Sequence, residues 1–376
     1  MQDAEPAKLD ELQTQLGFNQ SPNNLFLDTD LDIGLVSIHS YDWPHCMYIG
    51  GVFQREVDAL MELLRPHKLG AATFQIYLES WRWPRGYASP DKACIGGMVS
   101  GSMSEMLSLT PVLGKYVTDV VLPRGVNRAA CDSMLHLTHL VDLLAHTQRA
   151  GAVGPAALAL AWRTWAVAHQ EVYGVTCWIP KSHFLSHLPR TLEKFGFLAN
   201  SFALERKHKS VKRALQNRAS LKEYERGLMD HITSQHRHDA KAPIVCDGLC
   251  SPKRPSAHLI KVLQATLNLQ VPNDVQHSTK AYARGRAVCT RDVVVYEGSE
   301  GLAVGEVCFH LAVQTQAYTC ISPWKTLDTR GNVRRCEVCD DTHVMVPTAA
   351  VVESCIFAAA RVGEVSQVLM PRESCG

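Results

Sequence analysis

The sequence predicts an α+β protein that is helical in its middle and β-stranded at its end. Between about 103 and 232 the apolar residues recur on a period near 3.6, which is typical of helices with one buried face. Beyond about 285 the period falls to two, in short runs separated by glycines, which favours short strands in a compact β-barrel or sandwich. Because 46% of the 376 residues are apolar and only 20% are charged, a substantial core is expected.

Helix signals delimit the first elements. Apolar residues at helical spacing predict a helix over 52–64, closed by Pro66 and Gly70, and a second over 129–147. Gly154-Pro155 predicts the start of another helix, and Gly174 predicts its end. A long basic amphipathic helix is expected over 202–235, and strands are expected at 292–296, 304–311, 318–321, 343–346 and 362–370.

These signals divide the chain into three parts. Residues 1–240 are expected to form a mostly helical region, and 285–376 a small β-rich domain. The segment 241–284 is expected to be a linker, because prolines and a glycine cluster near its start, at Pro243, Gly248, Pro252 and Pro255.

The net charge of +1 conceals an uneven distribution. Residues 1–100 carry 7 basic and 13 acidic side chains, whereas 101–240 carry 17 and 11, and 241–376 carry 14 and 13. Eight basic and three acidic residues lie within 205–226 alone. The near-neutral total therefore does not exclude a nucleic-acid partner.

Cysteine usage and the N-terminal residues indicate the compartment. Thirteen cysteines are scattered without a framework, and the acidic, polar start lacks a basic-then-apolar leader. The most apolar helical stretch, 156–172, contains Arg163, His169 and Glu171, so we expect neither a transmembrane segment nor a membrane partner. We expect a protein of the nucleus or cytoplasm that is not secreted.

Asp42 and His45 form the first candidate site, in the turn 41–45. A carboxylate is the hard oxygen ligand that Mg²⁺ or Mn²⁺ prefers, so the pair is compatible with a divalent metal. The alternative is a structural turn in which Asp42 caps backbone amides and Trp43 packs into the core.

His183 and His187 form a second candidate pair. Residues at i and i+4 share one face of a helix, a spacing that suits either metal binding or a hydrogen-bonded structural pair. No glutamate lies between them, so the metalloprotease pattern is absent.

A basic run beginning at Glu205 forms the third candidate. On a helix, Glu205, Lys209, Lys212 and Arg213 share one face. Such a face suits contacts with phosphate backbones, although a solvated helix face is the alternative.

Two cysteine pairs have ligand-like spacing, Cys246 with Cys250 and Cys336 with Cys339, and His343 follows the second pair. A four-ligand zinc site would require the predicted linker to fold back onto the β-rich part. We therefore do not expect zinc at Cys336 and Cys339.

Three strings in order carry a resemblance to a known family. Tyr-Asp-Trp-Pro-His at 41–45, followed by Gly-Gly-Val-Phe at 50–53, precedes Pro-Lys-Ser-His-Phe-Leu-Ser-His-Leu-Pro at 180–189 and Phe-Ala-Leu-Glu-Arg-Lys-His-Lys at 202–209. Together they resemble proteins derived from CACTA-type DDE transposases, a transposase-like family of protist genomes. The resemblance spans about 15–225.

The resemblance implies a partial ribonuclease-H-like core with a large helical insertion, followed by a small C-terminal β-barrel-like domain. In such a core, three carboxylates bind two Mg²⁺ or Mn²⁺ ions for DNA strand transfer. Carried over by position, Asp42 is the second carboxylate and Glu205 the third, and both are metal ligands. His45, His183 and His187 lie near the site. The residues implied to contact the DNA backbone are Arg206, Lys207, Lys209, Lys212 and Arg213.

The sequence departs from the family pattern at the first carboxylate. Asp28, Asp30 and Asp32 lie in what the sequence predicts to be an irregular segment, so none matches a core-strand aspartate. We therefore expect an N-terminally truncated, catalytically inactive DNA-binding protein.

Two rival functions stay open at this point. One is a non-catalytic chromatin or protein interaction module that uses the C-terminal β domain, with a groove lined by Tyr296, Phe309, Tyr318 and Trp324. The other is an independent metal-dependent hydrolase that uses Asp42, His45, His183 and His187.

Overall fold

The predicted fold class is confirmed at the level of α+β. The structure is a computed structural model that describes residues 40–85, 90, 94–95, 98–147, 152–201, 226, 229–230, 232–234, 247–267, 274–330, 333–340 and 342–369. Within these ranges, helices dominate before residue 200 and a large antiparallel sheet forms after residue 274.

The helices follow the predicted pattern closely. Their bounds are α1 Trp43–Met47, α2 Val52–Leu64, α3 Ala71–Glu79, α4 Met103–Tyr116, α5 Arg128–His146, α6 Pro155–Tyr173, α7 Pro180–Ser186, α8 Leu188–Phe195 and α9 Ala257–Leu267. None of the helices that the structure describes combines the length and apolarity that a membrane crossing requires.

Local sequence explains where these helices begin and end. Ser102 and Glu105 form a capping box at the start of α4, because each side chain accepts a hydrogen bond from the backbone amide of the other residue. Pro155 occupies the first turn of α6 and Gly174 caps its end, as predicted. The predicted long helix over 202–235 falls almost entirely outside the described residues.

The strands begin with short pieces in the helical half. Their bounds are β1 Trp81–Arg82, β2 Cys94–Ile95, β3 Met98–Val99, β4 Gly248–Leu249, β5 Gln276–Ser278, β6 Lys280–Ala283, β7 Arg286–Cys289, β8 Val293–Gly298, β9 Gly301–Val313, β10 Gln316–Arg330, β11 Val333–Glu337, β12 Val344–Pro347, β13 Val351–Ala358 and β14 Val365–Leu369. The five predicted strands are confirmed in β8, β9, β10, β12 and β14, while β7, β11 and β13 are additional strands in the same part of the chain.

The largest sheet in the described part of the chain has nine strands. Its antiparallel pairings run from β8 to β9, β10, β11, β14 and β13, and β13 pairs with β8 again. Strands β5 and β12 add to β9 and β10, while β4, β6 and β7 form a separate three-stranded sheet. The barrel-like domain and the ribonuclease-H-like core remain predictions.

The described part of the predicted linker contains regular structure. Helix α9 and strands β4, β5 and β6 all lie between residues 247 and 284. Strand β5 joins the large sheet, with His277 opposite Leu311. The composition of this segment indicated a linker because its prolines and its glycine cluster near its start, and Gly248 itself lies in β4.

The helical and β-rich parts are joined directly. Strand β1, at the end of the third helix, pairs with β13, placing Trp81 opposite Ala358. The Arg85 amide donates a hydrogen bond to Asp292 Oδ1 at 3.1 Å, and burial raises the pKa of this carboxyl group. Ile356 and Leu369 of the sheet also belong to the main core, which lies among α1 to α8.

A buried carboxylate, Glu56 of α2, connects three helices of this core. Its Oε1 accepts a hydrogen bond from Ser133 Oγ of α5 at 2.6 Å. Its Oε2 accepts one from Trp165 Nε1 of α6 at 2.6 Å and lies 3.0 Å from His169 Nδ1. Since Glu56 is 0% exposed, these partners replace all of its solvation.

Replacing Glu56 should therefore be costly. We expect Glu56→Ala to lower the free energy of unfolding by about 3–5 kcal/mol, because it leaves the buried His169, Trp165 and Ser133 groups without their partner. Urea unfolding followed by circular dichroism measures this change. Glu62→Ala is the matched control, since Glu62 of the same helix pairs with Arg65 at the exposed surface. Its cost should stay below about 1 kcal/mol, and equal losses for the two variants would contradict the role of Glu56.

His310 of β9 generates a pH-dependent prediction. It is fully buried, its Nδ1 lies 3.0 Å from Thr319 Oγ1, and burial lowers its pKa to about 4. The folded protein thus keeps His310 neutral, whereas the unfolded chain takes up a proton near pH 6.5. Stability is retained above that pH and falls as the pH drops towards 4, by about 3 kcal/mol in total.

Unfolding measured between pH 7 and pH 4 tests this contribution. His310→Gln should flatten the pH dependence by about that amount, whereas His67→Gln, at an exposed position, should leave it unchanged. An unchanged slope in the His310 variant would show that another group titrates in this range.

Candidate functional site

The turn 41–45 opens helix α1 and is held by its aromatic residue. Trp43 is fully buried in the main core, and Pro44 occupies the first turn of the helix, where its missing N–H has no cost. Asp42 is the residue that precedes the helix, but its side chain makes no capping hydrogen bond to it. The packing of Trp43 therefore agrees with the structural alternative, while the capping role expected for Asp42 in that alternative is not observed.

Two glycines allow α2 to return directly after α1. Gly50 has a φ of +52°, a left-handed conformation that glycine adopts without strain. A Cβ on Gly51 would lie 2.3 Å from the Cys46 carbonyl oxygen, so only glycine permits this approach. The pair thus fixes how the turn 41–45 is presented relative to α2.

The Asp42 carboxylate faces Ser201, which lies far away in the sequence. Asp42 Oδ1 accepts a hydrogen bond from the Ser201 amide at 2.9 Å, and Oδ2 accepts one from Ser201 Oγ at 2.6 Å. His45 Nδ1 contacts the same Oδ2 and lies 2.9 Å from Ser201 Oγ. We call Asp42, His45 and Ser201 the polar cluster.

The geometry of the polar cluster differs from that of a nucleophilic triad. In such a triad one ring nitrogen of histidine faces the acid and the other faces the hydroxyl. Here Asp42 and Ser201 both face Nδ1 of His45, and the Ser201 hydroxyl donates to the acid itself. The cluster therefore holds the backbone at residue 201 against α1 and does not activate a serine.

The second predicted motif packs against the first. Tyr41 stacks on Phe184 of α7, with ring centroids 4.8 Å apart, and on His187 at 5.5 Å. Lys181 Nζ donates a hydrogen bond to the Ile49 carbonyl oxygen beyond α1. The contacts bring the segments 41–49 and 181–187 into one structure.

His183 and His187 approach each other on this surface. Their Nε2 atoms are 3.0 Å apart, which fits a hydrogen bond between two imidazoles in which one nitrogen carries the proton. The same convergence of lone pairs suits a shared transition-metal ion. Both alternatives left open by the sequence therefore agree with the observed spacing.

Cys46 also lies close to Asp42 and Lys181. Burial raises the pKa of its thiol to about 12, and the Asp42 carboxylate adds to this effect, while Lys181 opposes it. Since a thiol of this pKa stays protonated at neutral pH, Cys46 is not a nucleophile in this site.

The remaining predicted site residues lie outside the described residues. These are Glu205 and the proposed DNA-contacting Arg206, Lys207, Lys209, Lys212 and Arg213. The separation of the Asp42 and Glu205 carboxylates is therefore not part of the described geometry. Ser201, which the sequence reasoning missed, directly precedes the motif 202–209, and that adjacency was the available signal.

The side chains of the polar cluster do not by themselves supply enough ligands for the two metal ions that the resemblance implies. Such a pair needs several carboxylates, and Asp42 supplies one, whose two oxygens already accept hydrogen bonds. In the part of the chain that the structure describes, no three His, Cys, Asp or Glu side chains converge as metal ligands.

The cysteine pair at 336 and 339 faces two environments. Cys336 is fully buried in an apolar cluster with Val293, Val295 and Trp324, and burial raises the pKa of its thiol. Cys339 is half-buried, and its thiol lies 3.5 Å from the Glu337 carbonyl oxygen. The two thiols belong to different surroundings although their spacing is ligand-like.

The hydrogen bonds of Asp42 predict a measurable contribution to stability. Asp42→Ala should lower the free energy of unfolding by about 1–3 kcal/mol, because it leaves the Ser201 amide and hydroxyl without their acceptor. Asp132→Ala is the matched control, since Asp132 pairs with Arg128 across one exposed helix turn and should contribute below about 1 kcal/mol. Thermal unfolding of both variants compares them, and a neutral Asp42→Ala would contradict the structural role of the polar cluster.

Comparisons with protein-family models, with curated proteins and with solved structures return no match to this chain.

Proposed function

We propose that this chain is a transposable-element-derived DNA-binding protein that contacts the phosphate backbone through its basic segment and carries out no strand transfer. The observation that carries the proposal is the contact between the first two resembling motifs, together with the contact of the first motif with Ser201. Tyr41 stacks on Phe184 and His187, and Asp42 binds Ser201, the residue that precedes the third motif. Since 134 residues lie between His45 and Pro180, the contact of the first two motifs is a property of the fold and not of chain proximity.

Chain connectivity keeps the third motif near the polar cluster. Glu205 follows Ser201 by four residues, and four residues span at most about 14 Å in any conformation. The proposed DNA contacts begin at the next residue, Arg206. Glu205 therefore lies no farther than about 14 Å from Ser201, the residue that Asp42 binds.

The same cluster supports the proposed loss of strand transfer. A two-metal mechanism requires several carboxylates to hold the ions. The polar cluster contains one, that of Asp42. DNA binding that depends on point charges needs neither the metals nor the missing carboxylate.

The finer features of the proposed fold have unequal support. The closed cycle of antiparallel pairings from β8 back to β8 supports a barrel-like C-terminal domain. The ribonuclease-H-like core rests on the motif order alone. The helices α4, α5 and α6 lie between the first two motifs, where the proposed family carries its helical insertion.

In the rival interaction module, four aromatic residues are expected to line a groove, and two of them are buried in the structure. Tyr296 and Trp324 are buried in separate apolar clusters of the sheet, where core packing explains them. Phe309 and Tyr318 are half-buried and remain available for that alternative.

Salt dependence of DNA affinity tests the proposed function. A labelled duplex of random sequence is titrated with the full chain, and fluorescence anisotropy is recorded between about 50 and 200 mM salt. The triple variant Lys207→Ala, Lys209→Ala and Lys212→Ala should reduce the slope of log affinity against log salt by about 2.7, because each lost phosphate contact removes about 0.9.

A matched triple variant on the β10–β11 hairpin controls for total charge. Lys325, Arg330 and Arg335 are exposed cations, and replacing them with alanine removes the same charge. We expect the slope to stay unchanged. If the slope of log affinity against log salt fell in this variant alone, the nucleic-acid contacts would lie in the β-rich part. The proposed location of these contacts in the basic segment would then be wrong.

An activity assay addresses strand transfer separately. The full chain is incubated with Mn²⁺ and oligonucleotides that carry a free 3′-hydroxyl, and joined products are sought on denaturing gels. We expect none. Products that disappear in Asp42→Asn would refute the inactive assignment while leaving the salt-dependence result intact.

A further inference from the structure

Two cysteines of the large sheet lie opposite each other at a β-bulge. Thr319 of β10 pairs with His310 of β9 and Cys320 pairs with Phe309, but Ile321 pairs with Val307. Cys308 is therefore the extra residue of β9 opposite Cys320, and its thiol donates a hydrogen bond to the Glu306 carbonyl oxygen at 3.8 Å. Residues opposed across neighbouring strands have Cα separations near those that a disulfide requires.

Close packing of the two backbones holds this juxtaposition in place. A Cβ on Gly305 would lie 2.5 Å from Ile321 Cγ2 and 2.5 Å from the Ser322 carbonyl oxygen. The strands thus approach as closely as glycine allows, three residues before Cys308. This close packing limits how far β9 and β10 can separate beside the two cysteines.

The two thiols differ in access and in reactivity. Cys320 is 1% exposed, whereas Cys308 is half-buried and open to small molecules. The neighbouring Cys320 thiol lowers the pKa of Cys308, and the Ser322 backbone amide adds to this effect, while partial burial opposes it. The same interaction with Cys308, together with burial, raises the pKa of Cys320. Cys308 is therefore the thiol that reacts first, and Cys320 is the one that follows.

We propose that Cys308 and Cys320 are a redox modification site that forms a reversible intrachain disulfide with hydroperoxides. The Cys308 thiolate attacks the peroxide oxygen, the O–O bond breaks, and Cys308 becomes a sulfenic acid while hydroxide leaves and takes up a proton. The Cys320 sulfur then attacks the Cys308 sulfur, the S–O bond breaks, and water departs with the Cys320 proton. Two thiols and one hydrogen peroxide give one disulfide and two waters, and a dithiol reverses the reaction.

Peroxide treatment of the full reduced chain tests the proposal. After brief exposure to hydrogen peroxide and alkylation of the remaining thiols, the protein is digested without reductant and mapped by mass spectrometry. We expect one linked peptide pair containing Cys308 and Cys320, and the pair should disappear after treatment with dithiothreitol. Oxidation of Cys308 to sulfenic or sulfinic acid without the linked pair, or linkage of Cys308 to another cysteine, would overturn the proposal.

Variants assign the order of the two steps. In Cys320→Ala the sulfenic acid at Cys308 should persist and be captured by dimedone, whereas Cys308→Ala should leave Cys320 reduced under the same conditions. Cys177→Ser, which replaces an exposed thiol of the helical half, is the matched control and should form the linked pair at the unmodified rate. The peptide map of the unsubstituted chain decides the outcome even if a variant folds poorly. Dimedone capture at Cys320 in Cys308→Ala would reverse the assigned roles and contradict the proposal.

Discussion

The buried Glu56 carboxylate is the interaction on which the arrangement of the helical part depends. Helix α2 begins directly after the Gly50-Gly51 turn, so its position determines where the turn 41–45 lies. Through Ser133 and Trp165, Glu56 ties α2 to α5 and α6 at once. Helix α6 is followed by α7, which carries the second motif. By positioning α6 against α2, Glu56 therefore contributes to the placement of the second motif beside the first. A carboxylate with three hydrogen-bond partners is directional in a way that apolar packing is not.

The polar cluster completes this arrangement at the surface. Glu56 positions helices through groups that are removed from water, whereas Asp42 binds Ser201 at a partly exposed site. We therefore expect the hydrogen bonds of Glu56 to contribute more to the free energy of unfolding than those of Asp42. The hydrogen bonds of Asp42 hold residue 201, where the described helical part ends. The stack of Tyr41, the residue before Asp42, on Phe184 adds apolar contact area beside the polar cluster.

Periodicity predicted several of the longer elements because each of these depends on local sequence. The apolar spacing of 52–64 and the Gly154-Pro155 and Gly174 signals gave helices that the structure confirms. Strand β13 was missed because its burial pattern departs from strict alternation where a bulge shifts the register near Glu353. The linker prediction did not anticipate α9 and the strands beside it, because composition does not encode long-range contacts such as the pairing of β5 with β9.

The site was predictable only in part, since its chemistry comes from separated segments. Motif reasoning identified Asp42, His45, His183 and His187, and the structure places the segments that carry them in contact. Ser201 has no motif of its own, and its role arises from hydrogen bonds to Asp42 across the fold. The bulge that places Cys308 opposite Cys320 could not be predicted from the sequence either, because the register depends on how the strands pair and not on residue type.

The hydrogen bonding of Asp42 explains how a partly buried charge is accommodated in the turn 41–45. A carboxylate that is partly removed from water needs donors or cations nearby to replace its solvation. Asp42 has donors on both oxygens, from the Ser201 amide and hydroxyl, so its charge is satisfied within the chain. The turn 41–45 and residue 201 are thereby held together by hydrogen bonds that do not depend on a bound ligand. Since Tyr41 of the same turn stacks on Phe184, this cluster and the stack together keep the first two motifs beside the residue that precedes the third.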